Sequence, residues 1–172
     1  DSYEYFFNTY LNVSLSDNDR LFIESILDGR FHIIASEEVT NNTLLMHLMI
    51  LWKILFKSTD SNYAILTPKL KQSIAYNERF RSYYNMLPDW MKITKSSDKR
   101  IIRLTNGNIL FFGCVSCDSI IGWSYNELYC HGFSFVKKEM AEDFVASYLP
   151  VVMSDQTAKI FVESYPYLHT QF

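Results

Sequence analysis

The 172-residue chain has few of the residues that punctuate or staple a fold: five glycines, four prolines and three cysteines. So little Gly and Pro excludes collagen-like and low-complexity disordered chains. The cysteines, at 114, 117 and 130, are odd in number. A chain able to bury a good core has no need of disulfide staples, so a reducing compartment is the simpler expectation. Neither sign of charge dominates: the formal net charge is -3. Nothing therefore draws the whole molecule to a polyanion, and nucleic-acid contact falls to local basic patches. The longest apolar stretch, Leu44 to Phe56, is broken by His47 and Lys53 and is too short to span a bilayer. No signal peptide or membrane anchor is visible at the start. Repeats, charge blocks, low-complexity tracts and linkers are missing as well, which leads us to expect a single domain over residues 1–172.

What is present is core material. Nearly half the residues are apolar, among them 13 Phe, 12 Tyr and 3 Trp. Helical spacing of Leu21, Phe22, Ile23, Ile26 and Leu27 after a Ser-Asp-Asn-Asp start predicts a helix over 17–27, stopped by Asp28-Gly29. Phe31 to Ala35 reads as a short buried strand, Ser36 to Thr43 as a polar turn, Leu44 to Phe56 as a helix, and Tyr63 to Thr67 as a second strand. A helix over about 71–86 ends before Pro88. Thr105-Asn106-Gly107-Asn108 predicts a hairpin between strands 100–104 and 109–114, because Asn-Gly tolerates positive φ. A buried strand over 126–130, a helix over 137–149 and a last strand over 159–162 follow. The alternation predicts an α/β fold with a mainly parallel sheet and helices on both faces.

A strand, a turn and a helix can hold phosphate, because backbone N–H groups and the helix N-terminus point at the anion. This turn reads Ser36-Glu37-Glu38-Val39-Thr40-Asn41-Asn42-Thr43, without glycine or lysine. At about 5 Å and an effective dielectric near 20, each Glu repels a phosphate charge by about 3 kcal/mol before screening. Tight triphosphate binding is not expected, and a solvated helix start is the plain alternative. Cys114, Cys117, Cys130 and His131 resemble a zinc set in ligand type, but neighbouring strand residues point to opposite faces, so no metal is expected. His32, His47 and His169 lack partner spacing, and His32 and His47 sit in apolar runs as core or interface residues. Asp17, Asp19, Glu24, Glu139, Glu142 and Asp143 read as solvated helix faces. Lys69, Lys71, Arg79 and Arg81 form one basic region and Lys92, Lys95, Lys99, Arg100 and Arg103 another, each a candidate DNA contact.

From about Asp17 to Phe172 the series of segments resembles the N-terminal ATPase domain of the large terminase subunit of T4-type tailed phages. Leu87-Pro88-Asp89-Trp90, Arg103 to Ile109 and Ser116 to Gly122 are similar to that family's LPDF, LxNGS and SPDAVRG segments, in order and spacing. The resemblance implies a RecA-like P-loop NTPase fold of the terminase type with a β-hairpin insertion near 100–114. It also places the phosphate loop SRQLGKTT on Ser36 to Thr43, where only Ser36 and Thr43 agree and Asn41 stands at the lysine. The acidic pair that binds magnesium and activates water falls on His131 and Gly132, and the coupling motif TTTP on Glu163-Ser164-Tyr165-Pro166. Ile121 stands at the SPDAVRG arginine, and Asp19 lies near the adenine-contacting glutamine. Loss of lysine, arginine, metal ligand and base together implies a pseudo-ATPase with no cofactor: a non-catalytic interaction or regulatory module in viral DNA packaging. It would work with a packaging component or other protein, in the cytoplasm of the infected bacterial host. Two alternatives remain open. One is an active ATPase using ATP and magnesium through Thr40 or Thr43 with Glu37, Glu38 or Glu163; the other is one domain of a longer terminase whose nuclease lies elsewhere.

Overall fold

The computed structural model describes residues 2–35, 39–115 and 124–164. Two helices, α1 (Tyr3–Leu11) and α2 (Asp17–Leu27), lead into β1 (Phe31–Ala35), α3 (Val39–Phe56), β2 (Asn62–Thr67) and α4 (Leu70–Met86). Then come β3 (Thr94–Ser97), β4 (Ile101–Leu104), β5 (Ile109–Cys114), β6 (Glu127–His131), α5 (Lys138–Ser147), α6 (Leu149–Ser154) and β7 (Lys159–Ser164). Among the described residues they form one sheet in the order β1-β7-β6-β2-β5-β4-β3. The run from β1 to β5 is parallel, and β4 and β3 add antiparallel at its far side. This is the expected α/β architecture, including the hairpin insertion.

Strand alternation divides the core. Tyr63, Ile65, Leu110, Phe112, Tyr129 and Phe161 face α1, α3 and α4 and pack with Phe7, Ile23, Leu48, Leu51 and Phe80. Ala64, Leu66, Phe111, Leu128, Cys130 and Ile160 face the opposite way, against Phe144, Tyr148 and Val152 of α5 and α6. The hairpin turn fastens the far end of α3: Asn106 and Asn108 each donate from Nδ2 to the Ile54 carbonyl at 2.8 Å, and Asn108 also donates to Ser58 O. The bonds to Ile54 satisfy a carbonyl in the last turn of α3, where intrahelical partners run out. Gly107 has φ +85, and a Cβ there would lie 2.0 Å from Asp60 Oδ1, so only glycine fits.

Several expectations need correction. The strand at β1 is not buried: it is an edge, with Phe31 49% and Ile33 88% exposed. Residues 39–43 are not turn but the start of α3, so only residues 36–38 separate it from β1. Cys114 is disulfide-bonded whereas Cys130 is free and buried, and Cys117 lies outside the described residues. The expectation of unpaired thiols weighed core size, which sets the need for a staple and not whether two thiols meet.

Candidate functional site

Parallel register brings His131 of β6 opposite Glu163 of β7, on the face covered by α3. His131 Nδ1 and Glu163 Oε2 are 2.6 Å apart, and the residues are 3% exposed each. Gly132 follows with φ 63, a left-handed conformation that glycine adopts freely, and starts a short 3-10 turn at Phe133–Phe135. Ser134 N donates to Ser164 Oγ at 2.7 Å, so the strand ends are tied twice. His47 of α3 lies over this pair, its ring centroid 6.1 Å from that of His131, with the Tyr76 ring 4.9 Å from His131. His47 and Thr43 are one helical turn apart and both buried. Thr43 Oγ1, both His47 nitrogens, His131 Nε2 and Glu163 Oε1 find no hydrogen-bond partner among the described residues. Burial, reinforced by His131 and Arg79, holds His47 well below the ordinary imidazole pKa, so His47 is neutral near pH 7.

At the start of α3, Asn41 Nδ2 donates to Asp19 Oδ1 at 2.6 Å. Asp19 also closes a capping box on α2, accepting from Ser16 N and Ser16 Oγ at 2.8 Å each. Partial burial pushes the Asp19 pKa up, but the bonds from Ser16 and Asn41 outweigh it and hold the carboxyl below its usual range. Asn41 therefore joins two helix starts. Of the remaining phosphate-loop positions, Asn42 is half-buried and Thr43 buried. Ser36, Glu37 and Glu38, the side chains of Val39 and Thr40, and Ile121, Tyr165, Pro166 and His169 lie outside the described residues.

The structure thus brings His131, Glu163 and Ser164 together, and Asn41 with Asp19. Among the described residues no group of three His, Cys, Asp or Glu side chains is arranged to hold a metal ion. Glu24, Glu139, Glu142 and Asp143 are exposed, as expected of solvated faces. Lys69, Lys71, Arg79, Lys95 and Lys99 are exposed, while Arg81 is drawn onto Asn77 and the Asp98 carbonyl. Sequence reasoning missed His47 as a participant, reading it as a core or interface residue in an apolar run. A lone ionisable residue inside such a run was the available signal.

No family model matches the chain, and no curated protein is similar to it. Among solved structures, the fold is similar to the HK97 bacteriophage large terminase, with TM-score 0.74 and 14% identity over 88% of this chain and 33% of that one. It is also similar to the ATPase domain of a Thermus phage large terminase, with TM-score 0.71 and 11% identity over 95% of this chain and 70% of that one. A large terminase of a thermophilic bacteriophage matches with TM-score 0.52 and 12% identity over 80% of this chain and 34% of that one. At these identities the likeness concerns the fold: the chain has the RecA-like fold of phage large terminase ATPase domains, and it spans 33% of the length of the HK97 protein.

Proposed function

We propose that the chain is a terminase-type ATPase domain whose nucleotide site has become a structural cluster, and that it serves phage DNA packaging as a non-catalytic interaction or regulatory module. The observation that carries this reading is the engagement of the substituted positions with one another. Asn41, at the phosphate-loop lysine, is spent on Asp19. His131, at the magnesium-binding carboxylate, is spent on Glu163. Phosphoryl transfer runs on positive charge, metal and a positioned base, and an amide bonded to Asp19 and a buried imidazole bonded to Glu163 are poor substitutes for them. Magnesium asks for an octahedron of hard oxygen donors, whereas the groups gathered here are two imidazoles, one hydroxyl and a carboxylate already bonded. The donor set does not fit Mg-ATP.

The fold then survives as a surface. A packaging component is the partner this reading favours, with DNA contacts through Lys69, Lys71 and Arg79 on one side and Lys95 and Lys99 on the other, all exposed. The place of action would be the cytoplasm of the infected bacterial host, and a longer polypeptide with a nuclease is compatible with the same role. Calorimetric titration with ATP and magnesium, paired with a phosphate-release assay, tests the proposal. We expect neither heat nor phosphate at millimolar ATP. Binding with turnover would reinstate an ATPase with displaced residues.

A further inference from the structure

The opposite end of the sheet, where the parallel strands begin, holds an open cleft of about 430 Å³. That is within the range of small-molecule sites, about 300 to 1,000 Å³. Three lysines from two separate stretches of chain line it: Lys53 and Lys57 at the end of α3, and Lys159 at the start of β7. Among the described residues only one carboxylate lines the cleft. Glu127 takes two bonds from Lys53 Nζ, at 2.8 and 3.1 Å, and another from the Tyr129 hydroxyl, so it has little capacity left for a further cation. Lys57 and Lys159 have no acidic partner among the described residues. Lys57 Nζ rests 4.8 Å over the Trp52 ring, and Lys159 Nζ donates to the Leu27 carbonyl at 2.6 Å. The carbonyl ends of α2 and α3 contribute about half a negative charge each, which two uncompensated ammonium groups exceed. Asn126 Oδ1 is occupied by Asn62 N at 2.8 Å, so the amide NH2 is the end left to donate.

We propose that this cleft is a binding site for a phosphate-type oxyanion, held by Lys57 and Lys159 with Lys53 and Glu127 as its fixed floor. Lysine serves as a mobile point charge for phosphate, and each bond to the anion is charge-assisted. Two sources share that chemistry: a small phosphorylated molecule and the backbone of DNA. The site is independent of the nucleotide-site reading, because it lies at the other end of the strands.

The test is calorimetric titration of the whole chain with pyrophosphate and with a short single-stranded oligonucleotide at low salt. Lys57→Ala and Lys159→Ala are compared with Lys137→Ala, which removes an equal charge from an exposed position just before α5. The expected result is saturable binding that weakens about 10- to 100-fold in either cleft variant and less than twofold in Lys137→Ala. Binding of pyrophosphate alone assigns a small phosphorylated ligand, and binding of the oligonucleotide, alone or with pyrophosphate, assigns the DNA backbone. Absence of binding by both probes, or an equal loss in Lys137→Ala, overturns the proposal. Thermal melting of each variant distinguishes a lost site from a lost fold.

Discussion

The two ends of one strand ladder have been built in opposite ways. In its middle, His32, Phe161 and Tyr129 stack across three adjacent strands, with centroids 4.7 and 4.6 Å apart and planes within 5°. At the end where the strands begin, Glu127, Lys159 and Lys53 make a charged, open cleft. At the other end, His131 and Glu163 bond each other beneath His47, and both His47 nitrogens, His131 Nε2 and Glu163 Oε1 have no partner among the described residues. In open parallel sheets the crevice at the strand C-terminal ends is the usual ligand site. Here Thr43, His47, His131 and Glu163 are buried at that end, and the opposite end carries the open cleft. The difference teaches that a fold preserves its layers by apolar burial while its polar ends change independently.

The largest break in this comparison comes from Lys53. Its side chain is 7% exposed, and its ammonium is the only ion-pair partner of Glu127 among the described residues. Lys53→Met strands a nearly buried carboxylate, which costs about 3–5 kcal/mol. Urea denaturation reads this as a lower midpoint, and adding Glu127→Gln should recover most of the loss. If the single variant is as stable as the parent, the floor of the cleft is not an ion pair. Next in size is Glu163→Leu, which leaves His131 Nδ1 without its partner at the closed end and costs about 1–3 kcal/mol.

His47 sharpens the same contrast with the opposite sign. Both of its nitrogens are buried without partners, so His47→Leu removes a desolvation penalty and should stabilise by about 1–2 kcal/mol. The pH dependence checks the cause. Burial first, then His131 and Arg79, lower the folded-state pKa of His47 below its ordinary 6.5. The unfolded chain therefore binds a proton that the folded chain refuses, so this contribution is complete above pH 6.5 and is lost as pH falls below it. Denaturation midpoints between pH 5 and 7 should fall less steeply for His47→Leu than for the parent. An unchanged slope would assign the proton uptake elsewhere.

Much of the layered fold could be read from apolar periodicity and turn chemistry, because burial on one face writes a repeating pattern. The Asn106-Gly107 hairpin, the helix at Asp17–Leu27 and the alternation of strands with helices are examples. Elements without that pattern were missed. Every residue of β3 is exposed, since an edge strand of Thr, Lys and Ser has no apolar face to reveal. The helix α1 is dominated by Tyr and Phe, which have no strong helical preference, and it forms by burying Phe6, Phe7 and Leu11. The helix expected over 137–149 is α5 followed at once by α6, whose first turn tolerates Pro150. The site was legible only as substitutions. That His131 would meet Glu163, 32 residues away, depends on parallel register between β6 and β7, which local sequence does not encode.

The smallest expected effect is also the most direct probe of the closed end. Asn41→Lys restores the residue type that a phosphate loop uses, at a position exposed to solvent. The new ammonium can replace the Asn41–Asp19 bond of 2.6 Å with an exposed ion pair, which is worth about 0–1 kcal/mol, so stability should barely move. Affinity for ATP should not appear either. A lysine alone does not remove the two glutamates at 37 and 38, whose repulsion of phosphate the sequence puts at about 3 kcal/mol each before screening, and it leaves His131 at the position proposed for the magnesium ligand. Calorimetry with ATP and magnesium reads the result. Silence means that the closed end is set by several residues acting together. Millimolar or tighter binding means that one side chain alone separates the two ends of the ladder, and the reading of a rebuilt site fails.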